Sequence, residues 1–140
     1  MTGRFLSFSF GSLVFLVLAG CASNPSVTSL SSEERARLAL IKVYNPLEIA
    51  GKKIEMLGSV KGLSCRRDRY SNKATTDDEA IDGLRIHAAK MGGHGVTSVA
   101  CERSPGVDWG NNCWDSVVCV GDVFIFVGES PKEPKAAGAL

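Results

Sequence analysis

From residue 38 onward the chain alternates between apolar segments and polar connections. "LALIKVYN" (38–45) alternates β-prone apolar and polar positions and predicts a first strand, ended by Asn45-Pro46. "IEMLGSVKGLSC" (54–65) predicts a second, in which Gly58 and Gly62 mark a bulge or a point of close packing. The polar stretch "RRDRYSNKATT" then leads into the one clear helical period. Thr76 followed by Glu79 is a capping box, and Asp77 and Asp78 suit the positive end of a helix dipole. Ile81, Leu84, Ala88 and Met91 recur at intervals of 3, 4 and 3 as an apolar stripe, and Gly92-Gly93 ends the helix. "VTSVACER" (96–103) and "DSVVCVGDVFIFVG" (115–128) predict two further strands. The order β-β-α-β-β predicts an α/β domain, a small mixed four-stranded sheet with one helix packed on it. A crossover through the helix makes the second and third strands parallel and right-handed. The last two strands pair antiparallel around a long loop.

The flanks read differently. "ASNPSVTSLSSEERAR" (22–37) is Ser-rich and polar and predicts a flexible tether, and "SPKEPKAAGAL" predicts a loose tail. The expected organisation is therefore a leader at 1–20, a tether at 21–37, a folded domain at 38–128 and a disordered tail at 129–140. In the leader, Arg4 precedes the apolar run Phe5 to Ala19, shorter than the roughly 20 residues of a spanning helix. This is the layout of a secretory signal peptide. Leu18-Ala19-Gly20-Cys21 resembles the lipobox of bacterial lipoproteins. That resemblance implies a diacylglycerol thioether on Cys21, cleavage just before it, and an acyl chain such as palmitate on the new amino end. Several acyl chains on one residue anchor a protein stably. Ala22, where an Asp would favour inner-membrane retention, favours the outer membrane, with the domain facing the periplasm. This covalent lipid is the only cofactor expected.

Removing residues 1–20 deletes Arg4 and no acid, so 16 basic and 15 acidic residues become 15 and 15, with no net charge. The basic excess of a nucleic-acid partner is missing, and that class is set aside. With Cys21 assigned to lipid, Cys65, Cys101, Cys113 and Cys119 remain, an even number in an exported chain, which reads as a disulfide framework. For a folded unit of about 90 residues such cross-links supplement a modest core. Four cysteines allow three connectivities. If Arg103 is taken opposite Val117 in the final hairpin, Cys101 falls opposite Cys119, with Cα atoms about 4.5 Å apart. Cys65 is then left to meet Cys113, which pins the loop "SPGVDWGNNCWD" across the sheet end. A zinc site is the alternative, but spacings of 36, 12 and 6 lack the paired ligands zinc sites show.

The lipobox, the tether, "KVYNPLEIAGKKIEMLGSVKGLSC", "RIHAAKMGGHGV", "ACE", Cys113-Trp114, "VCVG" and the final strand together resemble the RcsF family, outer-membrane lipoprotein sensors of the Rcs phosphorelay. The likeness covers roughly residues 41–127, and its most specific element is the order and context of the four domain cysteines. Carried over by position, the family's two non-consecutive disulfides join Cys65 to Cys113 and Cys101 to Cys119. The resemblance implies a protein that reports envelope stress to an inner-membrane Rcs regulator, which then releases a histidine-kinase phosphorelay. It also implies complexes with the outer-membrane barrel assembly machinery and barrel proteins. One departure concerns the tether. Enteric members have a longer, proline- and lysine-rich one that threads a barrel protein, whereas here about 16 residues separate Cys21 from Leu38, a reach of at most roughly 55 Å. Two other classes fit the same anchor: a structural or assembly lipoprotein of barrel-protein biogenesis, and a small-ligand or metal-binding lipoprotein.

Arg66, Arg67 and Arg69 beside Cys65, with Trp109 and Trp114 flanking Cys113, form the candidate partner surface. The arginines either meet an anionic lipid or acidic partner or form a solvated charged loop. The tryptophans either anchor an interface or cover the sheet end and its disulfide. His87, between apolar helix positions, and His94, in the glycine-rich turn, are placed to sense pH or metal, or are incidental. "GGHG" follows a helix, whereas a phosphate cradle precedes one, so it is not read as a phosphate site. No acid/base pair and no nucleophile with its base stands out, and no enzymatic activity is expected.

Overall fold

The computed structural model describes residues 26–128. The expected signal peptide, the lipidated Cys21 and the tail at 129–140 lie outside the described residues. In chain order the elements are a 3-10 turn (Val27–Ser29), α1 (Ser32–Leu40), β1 (Lys42–Tyr44), α2 (Pro46–Ile49), β2 (Ile54–Arg66), α3 (Asp77–Lys90), β3 (Gly95–Arg103) and β4 (Asp115–Phe126). They form a mixed α/β fold with four strands in the order β1-β3-β4-β2. β1 runs parallel to β3, and β4 is antiparallel to both of its neighbours. Among the described residues no helix is long and apolar enough to cross a membrane.

Residues 38–45 do not form the single strand expected. Leu38–Leu40 close α1, and only Lys42–Tyr44 pair with β3. The cause lies upstream, in the stretch expected as tether. The Ser31 hydroxyl accepts from the Glu34 N–H at 3.2 Å while the Ser31 N–H donates to Glu34 Oε2 at 2.7 Å. This reciprocal capping box satisfies two free donors and starts a helix. A Glu33–Arg37 ion pair at 2.9 Å supports the first turns. Tertiary contacts then hold α1 in place: Leu38 packs on the core, Arg37 donates to the Ala89 carbonyl at 3.1 Å, and Leu30 is buried. Ordered structure therefore reaches back to Ser26, within the stretch 22–37.

The crossover is corrected in one respect. β2 and β3 run in the same direction, since each is antiparallel to β4, but β4 lies between them. As the most apolar strand, β4 belongs at the centre, where both its faces are covered. Val117, Cys119 and Val123 join Leu84 and Ala88 of α3 in the core. From the opposite face Phe124 packs edge-on against Tyr44 and Phe126.

Small residues let α3 approach the sheet closely. A Cβ on Gly62 of β2 would lie 1.8 Å from the Ala80 carbonyl oxygen, and one on Gly83 3.1 Å from the Gly62 Cα. The expected stripe holds at Leu84 and Ala88, which are fully buried, but Met91 is exposed and Ala80 and Ala89 are buried instead. α3 ends in a Schellman motif: Gly93 N–H donates to Ala88 O at 2.8 Å and Gly92 N–H to Ala89 O at 3.2 Å, with Gly92 at φ 78°. The register of β3 on β4 pairs Arg103 with Val117 and Cys101 with Cys119. Both disulfides have the expected partners, Cys101–Cys119 with Cα atoms 4.0 Å apart and Cys65–Cys113 with Cα atoms 5.6 Å apart.

Candidate functional site

The Cys65–Cys113 bridge ties the loop between β3 and β4 to the end of β2. Inside that loop Asp108 and Cys113 exchange two backbone hydrogen bonds, at 2.8 and 2.9 Å. The Asp108 carboxylate accepts from the Asn111 N–H at 3.1 Å, from Asn111 Nδ2 at 2.6 Å and from the buried Ser116 hydroxyl at 2.6 Å. The Ser116 bond, and then those of Asn111, hold the Asp108 carboxyl below the usual carboxylate range. Asn112 takes the left-handed conformation at φ 54°, which asparagine tolerates. The loop is thus closed on itself, bridged to β2, and turned so that Trp109 is 84% exposed.

The end of β2 brings the arginines alongside. Trp114 N–H donates to the Arg66 carbonyl at 2.8 Å, which locks the loop's last residues to the strand. The Arg69 guanidinium lies over the Trp114 ring, 5.4 Å from its centroid. Arg66 Nη1 donates to the Arg69 carbonyl at 3.2 Å. Arg67, Val107, Trp109, Asn112, Cys113 and Trp114 line a shallow cavity of about 100 Å³. Of the five residues nominated from sequence, Arg67, Trp109 and Trp114 share this cavity, Arg69 stacks on its wall, and Arg66 braces Arg69 from behind. Val107, in the cavity wall, and Tyr70, 88% exposed one residue past Arg69, are not among the nominated residues. A bulky apolar or aromatic residue inside an otherwise polar loop was their signal.

A polar network fixes the far side of this sheet end. The buried Ser64 hydroxyl donates to Glu79 Oε2 at 2.6 Å and accepts from the Thr76 N–H at 3.0 Å. The capping box expected at Thr76 and Glu79 is half made. Thr76 Oγ1 accepts from the Glu79 N–H at 3.2 Å, but the Glu79 side chain turns to Ser64 and to Lys73, whose Nζ lies 2.5 Å away. Burial works to raise the Glu79 pKa, but the bonds from Lys73 and Ser64 outweigh it and keep the carboxyl below its ordinary range. Arg103 of β3 donates to Thr75 Oγ1 at 2.8 Å and to the Thr75 carbonyl at 3.1 Å, while the Thr75 hydroxyl donates to Asp115 Oδ2 of β4 at 2.7 Å. Helix start and three strands are therefore tied together beneath the arginine and tryptophan surface.

The histidines lie elsewhere. Burial, and then the charge of Lys90, push the half-buried His87 down from its ordinary pKa. His94 Nδ1 accepts the Phe126 N–H at 3.1 Å and its ring stacks on Phe126, so it closes the end of β4. Among the described residues no group of three or more His, Cys, Asp or Glu is placed to hold a metal ion. No protein-family model matches the chain, and a search of curated proteins finds no match to it.

Proposed function

We propose that this chain is an RcsF-like lipid-anchored protein of the outer membrane, which senses envelope stress and signals by contact to an inner-membrane regulator of a histidine-kinase phosphorelay. The observation that carries this reading is the pairing of the four domain cysteines, Cys65 with Cys113 and Cys101 with Cys119, the pairing that the resemblance implies. A second feature supports contact as the mode of action. Aromatic and arginine side chains carry much of the binding energy in protein interfaces, and here the tryptophans stand on a bridged loop beside arginines at the strand end it is bridged to. A loop fixed in advance loses little conformational entropy on docking. In this reading Cys21 carries the diacylglycerol and acyl chain, the domain faces the periplasm, and the disulfides act by holding the contact surface in shape.

The test is deletion of the protein in its own cell, with an envelope-stress reporter followed during lipopolysaccharide damage. Loss of induction, restored by the wild-type chain and not by Cys21→Ser, is the expected result. Unchanged induction in the deletion strain would overturn the proposal. Altered barrel-protein levels with a normal reporter would instead place the chain among the assembly lipoproteins.

A further inference from the structure

We infer that the surface around Trp109 selects an acidic segment of a protein partner, which places carboxylates against Arg67 and Arg69 and an apolar side chain in the cavity between Trp109 and Trp114. This rests on the contact reading proposed above and adds the chemistry of the partner.

The distribution of ion pairs points to it. Of the seven arginines among the described residues, Arg37, Arg85 and Arg103 each lie within reach of a carboxylate, at 2.9, 3.0 and 3.8 Å. Of the four without such a pair, three are Arg66, Arg67 and Arg69, gathered at one end of β2. The nearby acids are already engaged. Asp68 accepts from the Tyr70 N–H at 2.9 Å, and Asp108 is held inside its own loop by Asn111 and Ser116. Lys61 adds a further cation, reaching the loop at Asn111 Oδ1 over 3.4 Å. Asp115, opposite Arg66 in the β2–β4 register, is taken up by Thr75 and Arg103. Four cations (Lys61, Arg66, Arg67, Arg69) against three acids (Asp68, Asp108, Asp115) leave a local excess of one positive charge.

Geometry then narrows the ligand. A guanidinium held over an indole face, as Arg69 is over Trp114, has N–H groups that can still meet a carboxylate. The cavity beside it, about 100 Å³ and walled by Val107, Trp109 and Trp114, has room for one apolar side chain. A sugar phosphate would satisfy the arginines but leave that cavity unfilled, and the long acyl chain of a lipid is far too large for a cavity of about 100 Å³. A peptide segment supplies both features a few residues apart.

The experiment uses the full chain in its own envelope, with the photo-crosslinker p-benzoyl-phenylalanine in place of Val107, and mass spectrometry of the captured peptide. The captured segment is expected to carry an acidic excess beside an apolar residue. Arg67→Glu with Arg69→Glu should lower capture about tenfold, and Arg67→Lys with Arg69→Lys about threefold. Arg35→Glu, a distant charge change, should leave capture unchanged. Both arginines are exposed, and retention of the two disulfides on a non-reducing gel verifies the fold; if charge reversal disturbs it, the Gln pair replaces the Glu pair. A neutral or basic captured segment, capture of lipopolysaccharide or phospholipid, or absence of arginine-dependent capture would overturn the inference. An inner-membrane protein held through a non-acidic segment would overturn this inference and leave the proposed function standing. An acidic segment of the barrel machinery, captured with and without stress, would do the reverse.

Discussion

Replacing Gly62 by alanine probes how α3 is seated on the sheet, and through it how the arginine and tryptophan surface is positioned. The new methyl would lie 1.8 Å from the Ala80 carbonyl oxygen and 2.9 Å from the Leu84 nitrogen. Both are backbone atoms of a helix, so no rotamer change relieves the contact. Restoring an ordinary carbon–oxygen separation of about 3.3 Å requires α3 and β2 to part by roughly 1.5 Å. That movement would loosen the packing of Leu84 and Ala88 and strain the Ser64–Glu79 bond of 2.6 Å. Overpacking typically costs about 1–3 kcal/mol, and a clash with rigid backbone belongs at or above the top of that range. Against a total stability of about 5–15 kcal/mol for a domain near this size, the expected loss of about 3 kcal/mol is large. Two controls isolate the cause. Gly83→Ala makes one tight contact, with the Gly62 Cα at 3.1 Å, beside ordinary ones to Leu63 N at 3.5 Å and Gly62 C at 3.8 Å, and gains up to about 1 kcal/mol of helix propensity, so it should stay within about 1 kcal/mol of wild type. Gly106→Ala enters open space and should change stability by less than about 0.5 kcal/mol. Urea unfolding with the disulfides intact, followed by tryptophan fluorescence and far-UV circular dichroism, reads all three. A slope of about 1.5 kcal/mol/M turns the Gly62→Ala loss into a midpoint shift of about 2 M. A shift below about 0.3 M would show that α3 is not seated through Gly62.

The disulfides close segments of 18 and 48 residues, so paired alanine replacement should cost about 3 kcal/mol at Cys101–Cys119 and about 4 kcal/mol at Cys65–Cys113. A loss under about 1 kcal/mol at either bridge, measured in the same urea assay, would contradict the chain-entropy reasoning. For His87, burial depresses the folded-state pKa, so the unfolded chain takes up its proton first as the pH falls. Its contribution is complete above the ordinary imidazole range and is lost on descending through it. His87→Gln should therefore flatten the decline in stability between about pH 7 and pH 5, and an unchanged slope would refute this. Trp109→Ala, at a side chain 84% exposed, should alter stability by less than about 0.5 kcal/mol while abolishing capture from position 107. Trp114→Ala, which removes the ring under Arg69, should cost about 1 kcal/mol as well.

The sequence and the structure agree most where a pattern acts locally. The β3–β4 hairpin joins neighbouring strands, and of the registers open to it the structure adopts the one that sets Arg103 opposite Val117 and so Cys101 opposite Cys119. The α3 termini were equally legible, because a Thr N-cap and a Gly-Gly stop act within a single turn. α1 is not predicted from its pattern, although its capping box, Ser31 with Glu34, is written in the sequence. Its stripe is too polar to stand out, and its stability comes from contacts with Ala89 and the core that lie far along the chain. The same holds for β4 between β2 and β3. Each segment's pattern predicts a strand, but the choice of neighbours depends on which strand has two faces to bury. At the candidate surface, position in sequence beside Cys65 and Cys113 was enough to nominate the arginines and tryptophans. The cavity and the Arg69–Trp114 stack exist only once the bridge has folded the loop back.

The thin attachment of β1 has a mechanical meaning. Three residue pairs join it to β3, Thr97 Oγ1 donates to the Tyr44 carbonyl at 3.1 Å, the Tyr44 ring packs on Phe124 and Phe126, and Arg85 Nε holds the Ile41 carbonyl at 3.1 Å. Both disulfides begin downstream, at Cys65 and Cys101. Tension applied ahead of Ser26 would therefore load α1 and β1 first, and no cross-link shares that load. Peeling residues 26–53 away from the sheet would release roughly 100 Å of chain at about 3.5 Å per residue. The bridged loop around Trp109 would keep its shape meanwhile. Residues 26–53 would thus give way first under a pull from the N-terminal side, while the cross-linked remainder holds its shape.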